Sequence, residues 1–240
     1  MEKLEAARKI YSTARKQSPL DWRLLWGDLL VSWQTTKEEQ LRSMAVLTAV
    51  TSNRPNLLFR MGLLANELHE QEFRTELWSA AMKAAPSMAT KVALVLSESE
   101  SDGEIDVAIF PDKLEVLESV STRAFPKAKF PKTNDLIWKR IVEGAQKLSV
   151  EDANRWVWLA KSAKTANNES LELEYLEKAA SRQQFNSSIK QRMAVLLANR
   201  GEYERALLEI ESSLLFNPND PNLVRLQDQI KQMLETSQYK

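Results

Sequence analysis

The chain has one histidine, His69, and it stands among Glu67, Glu70 and Glu72. Imidazole beside carboxylates is the residue set of metal ligation and of general acid–base chemistry. A metal site needs three or four convergent ligands, and a general base needs a defined partner. His69 instead falls at the predicted end of a helix, where a cation meets the helix dipole favourably, so its reading is structural. Glu98, Glu100, Asp102, Glu104 and Asp106 alternate around Gly103. Calcium loops use alternating oxygens, but the EF-hand spacing and its closing glutamate are missing, which leaves a solvated acidic loop. In residues 125–132, Phe125 and Phe130 are interleaved with Lys127, Lys129 and Lys132. Aromatics among cations can stack nucleic-acid bases or sit at a membrane surface. The stretch is short, and pairing with the acidic loop is the simpler expectation. Of the seven tryptophans, Trp26, Trp78 and Trp156 sit at core spacings, while Trp22, Trp33, Trp138 and Trp158 are less committed. No Gly-rich phosphate loop or Gly-x-Ser-x-Gly elbow occurs. The sequence therefore assigns no catalytic residue, no metal ligand and no cofactor.

The elements that would have to position such residues are helices. Only 5 glycines and 8 prolines occur in 240 residues, and Ala, Leu, Glu, Lys and Gln are abundant, a composition of good helix formers. The 33 Lys and Arg balance 33 Asp and Glu, which argues against bulk nucleic-acid affinity. With no cysteine, disulfides, thiolate catalysis and Cys-ligated zinc are excluded. No apolar run approaches the roughly 20 residues of a membrane span, and the start has no signal-peptide pattern. The compartment stays open between the cytoplasm and a soluble domain of a membrane or envelope protein.

The clearest unit is Ser187 to Pro218. Met193, Ala194 and Leu197 share one face of a first helix, and Gly201 ends it in the left-handed cap conformation. Ala206, Leu207, Ile210, Ser213 and Leu214 mark a second helix, which stops at Asn217-Pro218. Two short helices cannot bury their apolar faces alone and need stacked neighbours. This unit resembles a tetratricopeptide (TPR) repeat, whose period is about 34 residues. One period upstream, Trp156, Leu159, Ala160 and Ala163 supply a first helix, and Leu176 and Ala179 a second. A third unit opens at Pro55, with Leu58, Met61, Gly62 and Ala65, then Trp78, Ala81 and Pro86. Glu172 and Arg74 stand where the family has alanine, and Gln184 where it has proline.

Upstream, residues 2–17 read as a helix with Leu4, Ala7, Ile10, Tyr11 and Ala14 on one face, and the opening also resembles the half-a-TPR (HAT) relative. It reads as the second half of a repeat, which is expected of an excerpt from a longer protein or of a capping helix. Its uncovered apolar surface would also offer a place for a homodimer. Asp21 caps a helix over Trp22–Trp33; Thr35 or Thr36 starts the next, to about Ser52. After a first helix over Met88–Ser97 the pattern fails, apart from a short helix near Lys113–Thr122. Asn134 or Asp135 is then the expected cap of a helix from Leu136 to Leu148. Residues 219–236 suit a capping helix.

The expected fold is an all-α, right-handed superhelical solenoid of roughly five TPR-like hairpins. The expected organisation is repeats over 1–97, an irregular acidic and basic insertion over 98–134, and repeats with a capping helix over 135–240. The resemblance implies a non-enzymatic scaffold that binds a protein or peptide segment on the concave face of the first helices. Residues offset from the core positions on those helices are the candidates: Arg60, Leu63 and Asn66; Val157, Lys161 and Lys164; Gln191, Val195 and Asn199. Val157, Gln191 and Val195 stand where a carboxylate clamp would want cations or Asn, so the known chaperone-tail mode is not expected. Lys161 and Lys164 favour an acidic segment. The alternatives are a regulatory or assembly module of a larger enzyme or membrane protein, for example in bacterial envelope polysaccharide assembly, and an RNA-processing scaffold.

Overall fold

The computed structural model describes residues 2–31, 37–51 and 53–238. Trp33, Thr35, Thr36 and Ser52, invoked above, lie outside them. The described residues form helices and turns, with no strand among them. They divide into two compact units, Met1–Ile137 and Trp138–Lys240.

The first unit contains α1 (Glu2–Gln17), α2 (Trp22–Val31), α3 (Lys37–Thr51), α4 (Pro55–Glu67), α5 (Gln71–Ala84), α6 (Met88–Ser99), a 3-10 turn (Val107–Ile109) and α7 (Leu114–Arg123). Then α8 (Pro131–Gln146) carries the division between the units. The second unit continues with α9 (Ala153–Thr165), α10 (Glu169–Ala180), α11 (Ser187–Asn199), α12 (Tyr203–Leu214) and α13 (Pro221–Gln238). Packing runs between neighbours in sequence: α1 on α2, α4 on α5, α6 on α7, α9 on α10, α11 on α12 and α12 on α13. The all-α class and the TPR-like helix-turn-helix hairpins expected from the sequence are thus present.

Three hairpins share one turn. His69, Asn167 and Gly201 occupy the same register and take φ of 59°, 56° and 78°. In each, the following amide reaches back across the turn: Glu70 to the Ala65 carbonyl, Asn168 to Ala163 and Glu202 to Leu197, at 3.0, 2.9 and 2.9 Å. The left-handed residue's own N–H donates to the Asn66, Lys164 or Ala198 carbonyl. This double closure is the Schellman motif, which satisfies helix-end carbonyls. His69 takes the left-handed position that closes the α4/α5 turn. Glycine meets the conformation without strain at Gly201, whereas His69 and Asn167 hold it despite a Cβ.

The core follows the expected spacings. Leu58, Met61, Ala65, Trp78 and Ala81 are buried in α4/α5, and Met193, Ala194, Leu197, Ala206, Ile210 and Ser213 in α11/α12. Gly62 is a close-approach glycine: a Cβ there would run into the Trp78 indole. Trp138, Trp156 and Trp158 are also buried. Ile10, assigned to the packed face of α1, is 67% exposed instead.

The middle stretch is more ordered than its composition suggests. Phe125 and Phe130 are core residues; their rings meet edge-on at 5.3 Å, and Phe110 lies 6.2 Å from Phe125. Neither phenylalanine is on offer for base stacking. The helix expected from Leu136 starts earlier, at Pro131. Asn134, the expected cap, is buried inside it and donates through Nδ2 to the carbonyls of Phe125 (2.7 Å) and Ser121 (3.3 Å). The cap comes from the acidic loop. Asp102 accepts from the N–H groups of Lys132 (3.1 Å) and Thr133 (2.9 Å) and from the Thr133 hydroxyl (2.9 Å). Partial desolvation alone would raise its pKa. The backbone amides of Thr133 and Lys132, the Thr133 hydroxyl and the Lys132 ammonium outweigh that and hold it below the ordinary carboxylate value.

Candidate functional site

The nine candidate residues fall on three first helices. On α4, Arg60 is exposed, and Leu63 and Asn66 are half-buried. The Asn66 side chain already accepts from the Arg74 guanidinium at 2.7 Å, so it serves the packing of α4 on α5. On α9, Val157 and Lys161 are half-buried and Lys164 is exposed. The Lys161 ammonium lies over the Trp158 ring, 4.3 Å from its centroid, a cation–π contact that fixes its direction. On α11, Gln191 and Val195 are half-buried and Asn199 is exposed. Val157 and Lys161 are one helical turn apart, as are Gln191 and Val195, so each helix carries its candidates as one stripe. Val157 matches Gln191, and Lys161 matches Val195, at one repeat period.

Two charged positions on second helices tie a hairpin to the element that follows it. Glu172, on α10, has a side chain only 3% exposed, and Arg192 of α11 grips it with both ends: Nε to Oε1 at 2.7 Å and Nη2 to Oε2 at 2.8 Å. The Glu172 hydrogen bond raises the Arg192 pKa further above its already high value. Arg74, on α5, occupies the register of Glu172 with the opposite charge. It donates to Glu100, at the end of α6, at 2.9 Å and lies 5.2 Å over the Trp78 ring. Both departures from the family alanine are therefore charged pins between one hairpin and the element that follows it. Ala206, the third residue in this register, is fully buried.

Trp156 gathers three cations: Lys178 at 4.9 Å, Arg155 at 5.4 Å and Arg182 at 5.5 Å from its centroid. The two guanidinium groups are engaged at helix ends. Arg155 donates to the carbonyls of Gln146, the last residue of α8, and of Leu148 just beyond it, and Arg182 to the Lys178 carbonyl in the last turn of α10. Their work is to complete those helix ends.

The sequence reading missed an apolar patch on the turns between hairpins. Phe185 and Phe216 are 69% and 59% exposed and touch edge-on at 4.5 Å, with Leu215 79% exposed beside Phe216. Its signal was an apolar residue inside a polar turn, in Gln184-Phe185-Asn186 and Leu215-Phe216-Asn217. Among the described residues no group of three or more His, Asp or Glu is placed to hold a metal ion. No described helix is long and apolar enough to cross a membrane.

No family model matches the chain, and no curated protein matches it. Among solved structures it is similar to the APC/C hetero-tetramer Cut9–Hcn1, at 12% identity over 95% of this chain and 40% of that one, TM-score 0.43. It is similar to the TPR domain of P58(IPK), at 15% identity over 96% of this chain and 60% of that one, TM-score 0.38. It is also similar to YrrB, described as a TPR protein with an unusual peptide-binding site, at 9% identity over 92% and 100%, TM-score 0.40. The chain spans less than two thirds of the first two of these chains. The hairpin architecture stands on the three shared turns and the register described above.

Proposed function

We propose that the protein is a non-enzymatic interaction scaffold that holds a segment of a partner protein along the first helices of its hairpins. The observation that carries this reading is the pair of matched stripes on α9 and α11. Val157 and Lys161 on α9 and Gln191 and Val195 on α11 recur at one repeat period, and with Lys164 and Asn199 on the same helices they keep accessible surface. The stripes mix apolar, amide and cationic groups. An acidic segment with interspersed apolar residues fits them: carboxylates for Lys161 and Lys164, backbone partners for Gln191 and Asn199, and apolar contact on Val157 and Val195. Arg60, Leu63 and Asn66 on α4 are a separate candidate surface within the first unit.

Affinity capture from source-cell lysate, with the wild-type chain beside a Lys161→Glu, Lys164→Glu, Asn199→Ala variant, tests the assignment. A partner retained by the wild type and lost by the variant supports it. A partner retained equally by both removes these stripes from the binding site.

A further inference from the structure

Helix α12 carries an outward line of residues at 4-3-4 spacing: Glu204, Leu208, Glu211 and Leu215, the last being its helical C-cap. That spacing keeps all four on one face. All four are exposed, Leu208 by 64% and Leu215 by 79%. The same register is polar on α10, with Ser170, Glu174, Glu177 and Ser181, and on α5, with Glu72, Glu76, Ser79 and Lys83. The hairpin architecture therefore does not require leucines there. At its far end the line runs into Phe216, whose ring meets Phe185, so the apolar surface is contiguous rather than scattered. Glu204 and Glu211 make no ion pair among the described residues. The cations beside the line are already engaged: Lys190 with the Ser212 hydroxyl at 2.5 Å, and Arg205 with Glu202 and Glu177.

We propose that this face docks an amphipathic helix of a partner protein, with apolar residues over Leu208, Leu215 and Phe216 and Lys or Arg over Glu204 and Glu211. The alternation of leucine and glutamate selects the occupant. A second copy of α12 paired in parallel would set each glutamate against its own image. Paired antiparallel, it would set each leucine against a glutamate, or Glu211 against Glu211. Either arrangement desolvates carboxylates without a counter-charge. A helix with cations at the matching positions removes that cost and adds attraction. The surface lies on a second helix and shares no residue with the stripes on α9 and α11, so it stands or falls independently of them.

The test is fluorescence anisotropy of the full chain with a fluorescein-labelled helical peptide. Its leucines and lysines alternate at the same 4-3-4 spacing, with Ala and Gln elsewhere; a second peptide has Glu in place of Lys. Wild type is compared with Leu208→Gln/Leu215→Gln and with Glu204→Gln/Glu211→Gln. Two controls remove like groups elsewhere: Ile10→Gln/Leu20→Gln, similarly exposed at 67% and 71%, and Glu72→Gln/Glu76→Gln on α5. Thermal melts establish that all are folded. The proposal expects saturable binding of the lysine peptide, weakened at least about tenfold by each α12 variant and unchanged in the controls. It also expects weakening by added salt and no binding of the glutamate peptide. Absence of binding overturns it, as does equal loss in the controls, equal binding of the glutamate peptide, or loss in only one of the two α12 variants. A dimer in sedimentation that Leu208→Gln/Leu215→Gln abolishes also overturns it, since the face then belongs to a second copy.

Discussion

Hairpin α4/α5 in the first unit and hairpin α9/α10 in the second share a turn and a register, and differ in the sign of the charge held at one position. Arg74 meets Glu100, the residue that follows α6; Glu172 meets Arg192 within α11. The pairs also differ in how far their loss could be absorbed. Glu172 depends on Arg192, and its side chain is 3% exposed. Arg74 is 12% exposed but keeps Asn66 and the Trp78 ring as further partners. The two partners also differ in place: Arg192 lies in the middle of α11, whereas Glu100 follows the last residue of α6.

The largest effect is expected from Arg192→Met. It strands a buried carboxylate and should cost about 3–5 kcal/mol in urea unfolding. Adding Glu172→Ala, which installs the residue present at Ala206, should restore most of that loss. A cost below about 1 kcal/mol for the single variant would show that Glu172 finds water. Glu100→Gln should cost less, about 1–3 kcal/mol, because Arg74 retains its other partners. Equal costs at the two sites would abolish the distinction drawn between them.

The shared turn gives a finer test. Replacing His69 by Gly should stabilise the chain by roughly 1 kcal/mol, since a Cβ is disfavoured in the left-handed region. Asn167→Gly should gain less, because Asn tolerates that region. Gly201→Ala should lose about 1 kcal/mol. Calorimetric melting points that fail to rank His69→Gly above Asn167→Gly would show that the turns are not equivalent. The subtlest effect concerns Asp102. Its folded pKa is depressed, so its contribution is present above the unfolded carboxylate value and fades as pH falls through the folded value. The melting-point gap between wild type and Asp102→Asn should therefore be open at neutral pH and close in acid. A gap independent of pH would mean the carboxylate charge is irrelevant to the cap.

What could be read from the sequence, and what could not, follows from how far each interaction reaches. Gly201 and the spacing of Met193, Leu197 and Ala206 are local signals, and they gave the hairpin and its turn. Glu172 and Arg74 were visible as departures from a small residue, but their meaning lies in the element that follows. Glu100 looked like one more acid in a run of acids. Phe125 and Phe130 misled for the same reason: lysines between them are conspicuous in the sequence, whereas Phe110 is distant in it. Asn134 was given the capping role because it is local, while Asp102 performs it from across a loop. The nine stripe residues were named from repeat register alone. The structure shows that Asn66 and Lys161 already have partners, which no spacing rule reveals.

The sequential packing of the hairpins bears on how the chain is made. Each Schellman turn closes between residues only a few positions apart, so the entropy of loop closure is small and contact order is low. Helix α11 meets α12 as soon as Gly201 and the next few turns have been synthesised. Assembly can then proceed in the order of translation, each hairpin offering a nearly finished surface to the one that follows. Arg192 would arrive at a Glu172 already held in place by α9 and α10, and the buried carboxylate would be without its partner only for as long as the ribosome takes to reach α11.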